Sequence, residues 1–102
     1  MRLTDNQVTH IKEVFLQHFT SQDGLWLFGS RVDMQKRGGD IDLYIETHYT
    51  DLGIVVTKKI NFLVELQKRI GEQKIDVVIN VLSSNKNLPI YEEARTTGIK
   101  LV

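Results

Sequence analysis

Cysteine is absent from this 102-residue chain, and proline occurs once. Without cysteine there is no disulfide framework and no thiolate-bound zinc, a usage that suits a cytoplasmic protein. An excess of either charge is missing too: thirteen lysines and arginines balance thirteen aspartates and glutamates. That balance removes the electrostatic footprint of a polyanion-coating protein and argues against direct nucleic-acid binding. No apolar run approaches the roughly 20 residues of a membrane-spanning helix, so no membrane association is expected. The first residues also lack the apolar core of a secretory signal. Internal repeats, low-complexity tracts and Pro/Ser-rich linkers are absent as well, so residues 1–102 are expected to form a single domain. What is present is globular in character, with 41% hydrophobic and 25% charged residues. A domain of this length has room for one core and a catalytic centre, but little left over to enclose a substrate.

Thr4, followed three residues later by Gln7, has the form of a capping box. Val8, Ile11, Phe15 and Phe19 then fall on one face of a helix that ends near Thr20. After the turn signal Asp23-Gly24, the run Leu25-Trp26-Leu27-Phe28 is continuous and apolar up to Gly29. It reads as a central strand buried on both faces. Residues 29–39 read as a loop with room for one helical turn after Ser30 and with Lys36-Arg37 at its tip. The most regular alternation follows, with Ile41, Leu43 and Ile45 on one side and Asp40, Asp42, Tyr44 and Glu46 on the other.

Leu52, Val56, Ile60, Leu63, Leu66 and Ile70 keep helical spacing up to Gly71, although Ile54-Val55-Val56-Thr57 would serve a strand as well. Lys74–Val81 alternates again, with Ile75, Val77 and Ile79 opposite Asp76 and Val78. Asn87 is placed to cap a last helix, with Pro89 in its first turn and Gly98 after its end, and Ile99–Val102 suits a short edge strand. The expected architecture is α+β, a small mixed β-sheet with helices packed on one face.

Chemistry concentrates at Gly29-Ser30, at Asp40-Ile41-Asp42 and at Asp76. Carboxylates at i and i+2 of a strand lie on one face, roughly 6.5–7 Å apart along the backbone. Such a pair suits Mg2+, which takes a few carboxylate oxygens and completes its shell with water and phosphate. A third carboxylate from another strand supplies what a two-metal phosphoryl-transfer site needs, its ions about 3.5–4 Å apart. A glycine and a hydroxyl at the end of a strand can present backbone N–H groups to phosphate oxygens. An Asp-x-Asp by itself more often marks only a solvent-facing strand. Aspartates are poor strand formers and neighbouring ones repel, so three strand-interior aspartates call for a compensating cation or donor.

Together, Trp26-Leu27-Phe28-Gly29-Ser30-Arg31, Asp40-Ile41-Asp42-Leu43 and Lys74-Ile75-Asp76-Val77-Val78 resemble the minimal nucleotidyltransferases of the DNA polymerase beta-like superfamily. The resemblance covers about residues 24–80, and Tyr91–Leu101 looks like the closing helix and strand of that fold. It implies a polymerase beta-like nucleotidyltransferase fold that binds a nucleoside triphosphate, ATP by family preference, with two Mg2+ ions. Carried over by position, Asp40 and Asp42 match the metal-binding pair. Asp76 matches the third carboxylate, placed to help deprotonate the acceptor. Gly29 and Ser30 match the triphosphate-binding turn, and the Arg31 fork can reach a phosphate. Gly39 and Asp33-Met34-Gln35 depart from the family pattern, which often has a serine before the first aspartate and Gly-Glu or Gly-Ala after the arginine.

In this superfamily very short members are commonly the antitoxin of a pair whose toxin is a helical HEPN ribonuclease. The resemblance therefore implies transfer of AMP to a hydroxyl, typically of tyrosine, on that partner, in a homo- or hetero-oligomer. A binding module that silences the partner by occupancy alone is the competing expectation. An RNA- or antibiotic-modifying transferase is a third, which the lack of an acceptor-recognition domain disfavours. Elsewhere, Trp26 and Phe28 read as core, and His10, His18 and His48 as surface positions. Lys58-Lys59 and Lys68-Arg69 read as exposed helix positions. Tyr44 is left either to line the nucleotide site or to cover the sheet edge.

Overall fold

The computed structural model describes residues 4–29, 41–71 and 73–102. In chain order the elements are α1 (Asp5–His18), β1 (Gly24–Phe28), β2 (Ile41–Thr47), α2 (Leu52–Ile70), β3 (Ile75–Val81), α3 (Pro89–Thr97) and β4 (Ile99–Lys100). Among the described residues the architecture is α+β, with three α-helices and one four-stranded mixed sheet of order β3-β2-β1-β4. β1 pairs antiparallel with both β2 and β4, while β2 and β3 run parallel. A parallel pair needs a crossover, and the 19-residue α2 supplies it.

Local chemistry sets the helix starts. Both bonds of the capping box form: Gln7 N–H donates to Thr4 Oγ1 (3.1 Å), and Thr4 N–H donates to Gln7 Oε1 (2.9 Å). At α2 the Asp51 carboxylate accepts from the N–H groups of Gly53 (2.8 Å) and Ile54 (3.2 Å), which settles the β-branched stretch as helix. α3 begins after Leu88 with Pro89 in its first turn and has no side-chain cap, so Asn87 does not serve as one.

The strand alternation divides the sheet into two differently furnished faces. On the first, Leu25, Leu27, Ile41, Leu43, Ile45 and Val77 join Ile11, Val14 and Phe15 of α1 and Phe62 and Leu66 of α2 in the main core. Lys58 ties α2 to α1 by donating to the His18 carbonyl (3.0 Å), and Arg69 does so through Glu13 (3.1 Å). Neither cation is a simple exposed position, and His10 and His18 are half-buried rather than on the surface.

The second face carries Trp26, Phe28 and Tyr44, covered by Tyr91 and Ala94 of α3. The expectation of helices on one face therefore fails for α3. A strand buried on both sides cannot leave its aromatic face in water, and α3 is what covers it.

The leading residues of α2 also depart from expectation. Val55, Phe62 and Leu66 make its buried face, while Leu52, Val56 and Ile60 are 64%, 55% and 55% exposed.

At the β1 entrance, Asp23 is buried and accepts from the backbone N–H groups of His48 (2.9 Å) and Thr20 (3.1 Å), with His48 Nδ1 at 2.7 Å. Burial pushes this carboxyl up, but the bonds from His48 and Thr20 prevail and hold it below the usual carboxylate range. A depressed folded value means that the stabilisation is present above the unfolded value, about 3.9. It is lost as pH falls through the folded value. Asp23→Asn is expected to lower the thermal midpoint near neutral pH, by about 1–3 kcal/mol in stability. The gap to wild type should narrow below about pH 4 in circular-dichroism melts across a pH series.

Candidate functional site

Three rows of side chains cross the second face of the sheet, as the strand register dictates. Phe28, Asp42 and Asp76 are paired neighbours on β1, β2 and β3. The next row is Trp26, Tyr44 and Val78, and the last is Gly24, Glu46 and Asn80. Asp42 and Asp76 are thus register partners at the starts of two parallel strands, about 4.8 Å apart through the backbone and on one face. Asp42 is half-buried and Asp76 exposed. Like charges side by side in a sheet lower its stability unless something offsets them.

Gly29 completes this end of the sheet. Its φ of 76° is a left-handed conformation that L side chains rarely adopt. A Cβ built there would run into the Asp42 carboxylate. The chain therefore leaves β1 directly over Asp42, with backbone where a side chain would otherwise stand. Of the expected site residues, the structure brings Gly29, Asp42 and Asp76 together at one sheet end. Ser30, Arg31 and Asp40, with the Lys36-Arg37 loop tip, lie outside the described residues. Among the described residues no three His, Cys, Asp or Glu side chains are grouped to hold a metal ion.

The other two rows are structural. Tyr44 is fully buried, with its ring 5.2 Å from Trp26 and 5.6 Å from Tyr91. Its hydroxyl donates to Glu46 Oε2 (2.8 Å) and accepts from Asn80 Nδ2 (3.1 Å) and Arg95 (3.0 Å). Arg95 also donates to Glu46 Oε2 (2.8 Å). Burial raises the Tyr44 hydroxyl above its usual value, so it stays a neutral donor. Tyr44 therefore neither covers the sheet edge nor presents an accessible surface for a nucleotide. It fastens α3 to the middle of the sheet. Sequence reading missed Asn80 and Arg95, because only the fold brings residues so far apart in the chain to one hydroxyl, and it gave Glu46, two residues along the same face of β2, no role. Trp26 and Phe28 are core as expected. The indole of Trp26 lies over Gly24, where a Cβ would stand 2.5 Å from its Cζ3.

A groove of about 460 Å3 between the end of α1 and the start of α2 is lined by Gln17, His18, Asp51, Thr57 and Lys58. It is on the helix-covered first face and carries neither Asp42 nor Asp76. No protein-family model matches the chain, and no curated protein matches it in sequence. Among the described residues no helix is long and apolar enough to cross a membrane.

Two substitutions probe this face. Gly29→Ala combines a left-handed backbone with a clash at Asp42, and an expected stability loss of about 1–3 kcal/mol can be read by urea titration. Tyr44→Phe strips Asn80 of its acceptor and weakens the hold on α3. A similar loss, about 1–3 kcal/mol, is expected, with tryptophan emission shifted as the surroundings of Trp26 loosen.

Proposed function

We propose that the chain is a Mg2+-dependent nucleotidyltransferase that moves AMP from ATP to a hydroxyl, that of a tyrosine, on a helical HEPN-type toxin. In that reading it acts as the antitoxin. The observation that carries the reading is the pairing of Asp42 with Asp76 on adjacent parallel strands, closed over by Gly29. The sequence resemblance gives the chemistry, and the placement of these residues supports it.

The donor set fits a hard divalent cation. Two carboxylates share one face, and a backbone turn with no Cβ lies directly against one of them, where a side chain would collide. Asp42 and Asp76 would hold the ions together with Asp40. When bound, Mg2+ supplies charge neutralisation at the phosphates and at the attacking and leaving oxygens.

The chain's own residues do the rest. Gly29 admits the triphosphate close to the backbone, and Ser30 and Arg31 hold its oxygens. The acceptor oxygen forms a bond to the α-phosphorus while the bond from that phosphorus to the bridging oxygen breaks. Pyrophosphate leaves with that electron pair. The acceptor's proton passes to the exposed Asp76 carboxylate, and from there to solvent. The buried Tyr44 network keeps β2 and β3 in register, and so keeps Asp42 beside Asp76.

Incubation with labelled ATP, Mg2+ and a HEPN-type partner is expected to label the partner. Asp42→Asn and Asp76→Asn are each expected to lower the rate about 100-fold or more while the fold persists. Mg2+ with ATP is also expected to raise the thermal midpoint of wild type and not of Asp42→Asn. Absence of labelling, with toxin silencing that survives both substitutions, would favour the occupancy-only binding module instead.

A further inference from the structure

β3 is an edge strand of seven residues, Ile-Asp-Val-Val-Ile-Asn-Val, with β2 on one side. Among the described residues no backbone hydrogen bond reaches its outer side. The one bond from outside the ladder is the Ser84 hydroxyl donating to the Val81 carbonyl (2.7 Å). Edge strands in soluble proteins are ordinarily blunted by lysine, proline, a bulge or brevity. This one has no proline or lysine within it, is as long as the central β2, and carries its only charge at its second residue.

A second observation lies beside that edge. α2 connects β2 to β3 by a crossover and therefore lies over these two strands, while α1 leads into β1 and covers the other half of the sheet. Lys58 and Arg69 mark the flank of α2 that faces α1. At about 100° per residue, Leu52, Val56 and Ile60 turn to the opposite flank, above the β3 edge. These residues are 64%, 55% and 55% exposed, and Val64 (50%) and Ile54 (47%) carry the apolar surface on round the solvent side of the helix. A row of β-branched and aliphatic side chains at i, i+4 and i+8 on water is costly where nothing covers it.

From these we infer that two copies of this chain associate about a two-fold axis through Val78. β3 would pair antiparallel with β3 of the second copy, and the α2 flanks would close over the strands. The surface is self-complementary, as such an axis requires. Ile75 meets Val81, Val77 meets Ile79, Val78 meets itself, and Asp76 meets the uncharged Asn80. The two Asp76 carboxylates stand about 13 Å apart along the strands, beyond the roughly 8–10 Å screening length, so no like-charge opposition arises. A seven-residue edge about 23 Å long, two layers or about 20 Å high, projects roughly 450 Å2. That falls at the small end of specific interfaces, which suits an association that depends on concentration. A single extended peptide would satisfy the strand edge and leave the α2 flank bare. A second copy covers both.

The test uses the full chain in light scattering after gel filtration and in hydrogen–deuterium exchange over a concentration series. Expected are a mass twice the 11.8 kDa of one chain and slower exchange at residues 75–81 as concentration rises. The paired variant Val56→Asp with Ile60→Asp, both exposed, should keep its circular-dichroism spectrum, raise the dissociation constant about tenfold or more, and abolish the concentration-dependent protection of β3. A monomer across the series overturns the inference. So does a dimer whose β3 amides exchange at the monomer's rate, one indifferent to the paired substitution, or a chain that protects β3 only when another protein's segment is added.

Discussion

β2 is hydrogen-bonded on both sides and buried on both faces, and its register against β1 and β3 decides the placement of every other group. Because side chains alternate strictly along a strand, a slip of one residue would exchange the two faces. Leu43 and Ile45 would leave the core beneath α1 and α2, and Asp42 would enter it. The main core forbids that exchange, since it would bury a carboxylate among Phe15, Phe62 and Leu66. Apolar packing on the first face thus fixes the position of polar groups on the second. The pairing of Asp42 with Asp76 depends on side chains that touch neither.

The second face combines three environments along about 17 Å of strand, the reach of five residues. At one end, two carboxylates meet a glycine turn. In the middle, Trp26, Tyr44 and Tyr91 form an aromatic slab. At the far end, Glu46, Asn80 and Arg95 converge on one hydroxyl. The slab separates a charged, accessible end from a charged, satisfied one, so Arg95 is engaged by Glu46 rather than by Asp42. The network commits its charges to holding α3.

Much of this was legible in the sequence, and the reasons differ from element to element. The capping box of Thr4 and Gln7 is a local device, and it forms as read. The alternation through residues 41–47 is equally local, and it correctly placed Asp42 and Tyr44 on one face. The common face of Asp42 and Asp76 required a parallel register that no single strand encodes. Tyr44 was misread because two of its three hydroxyl partners come from β3 and α3. Leu52, Val56 and Ile60 satisfied a helical period without facing the core, because a period gives a stripe and not its direction. The side of the sheet that α3 takes was likewise invisible, since one short helix after an irregular stretch can close either face.

The fastening of α3 has a consequence for how the molecule is made. Trp26 and Tyr44 are synthesised early, yet their cover, Tyr91 and Ala94, and the strand that pairs with β1 come from the last part of the chain described. Until residues 89–100 emerge from the ribosome, the sheet has one finished face and one bare aromatic face, with β1 as an open edge. Such a half-finished layer is the kind of surface that chaperones hold. The order of residues along the chain thus makes the closing helix and its strand a latch that can shut only after the sheet it covers has been made.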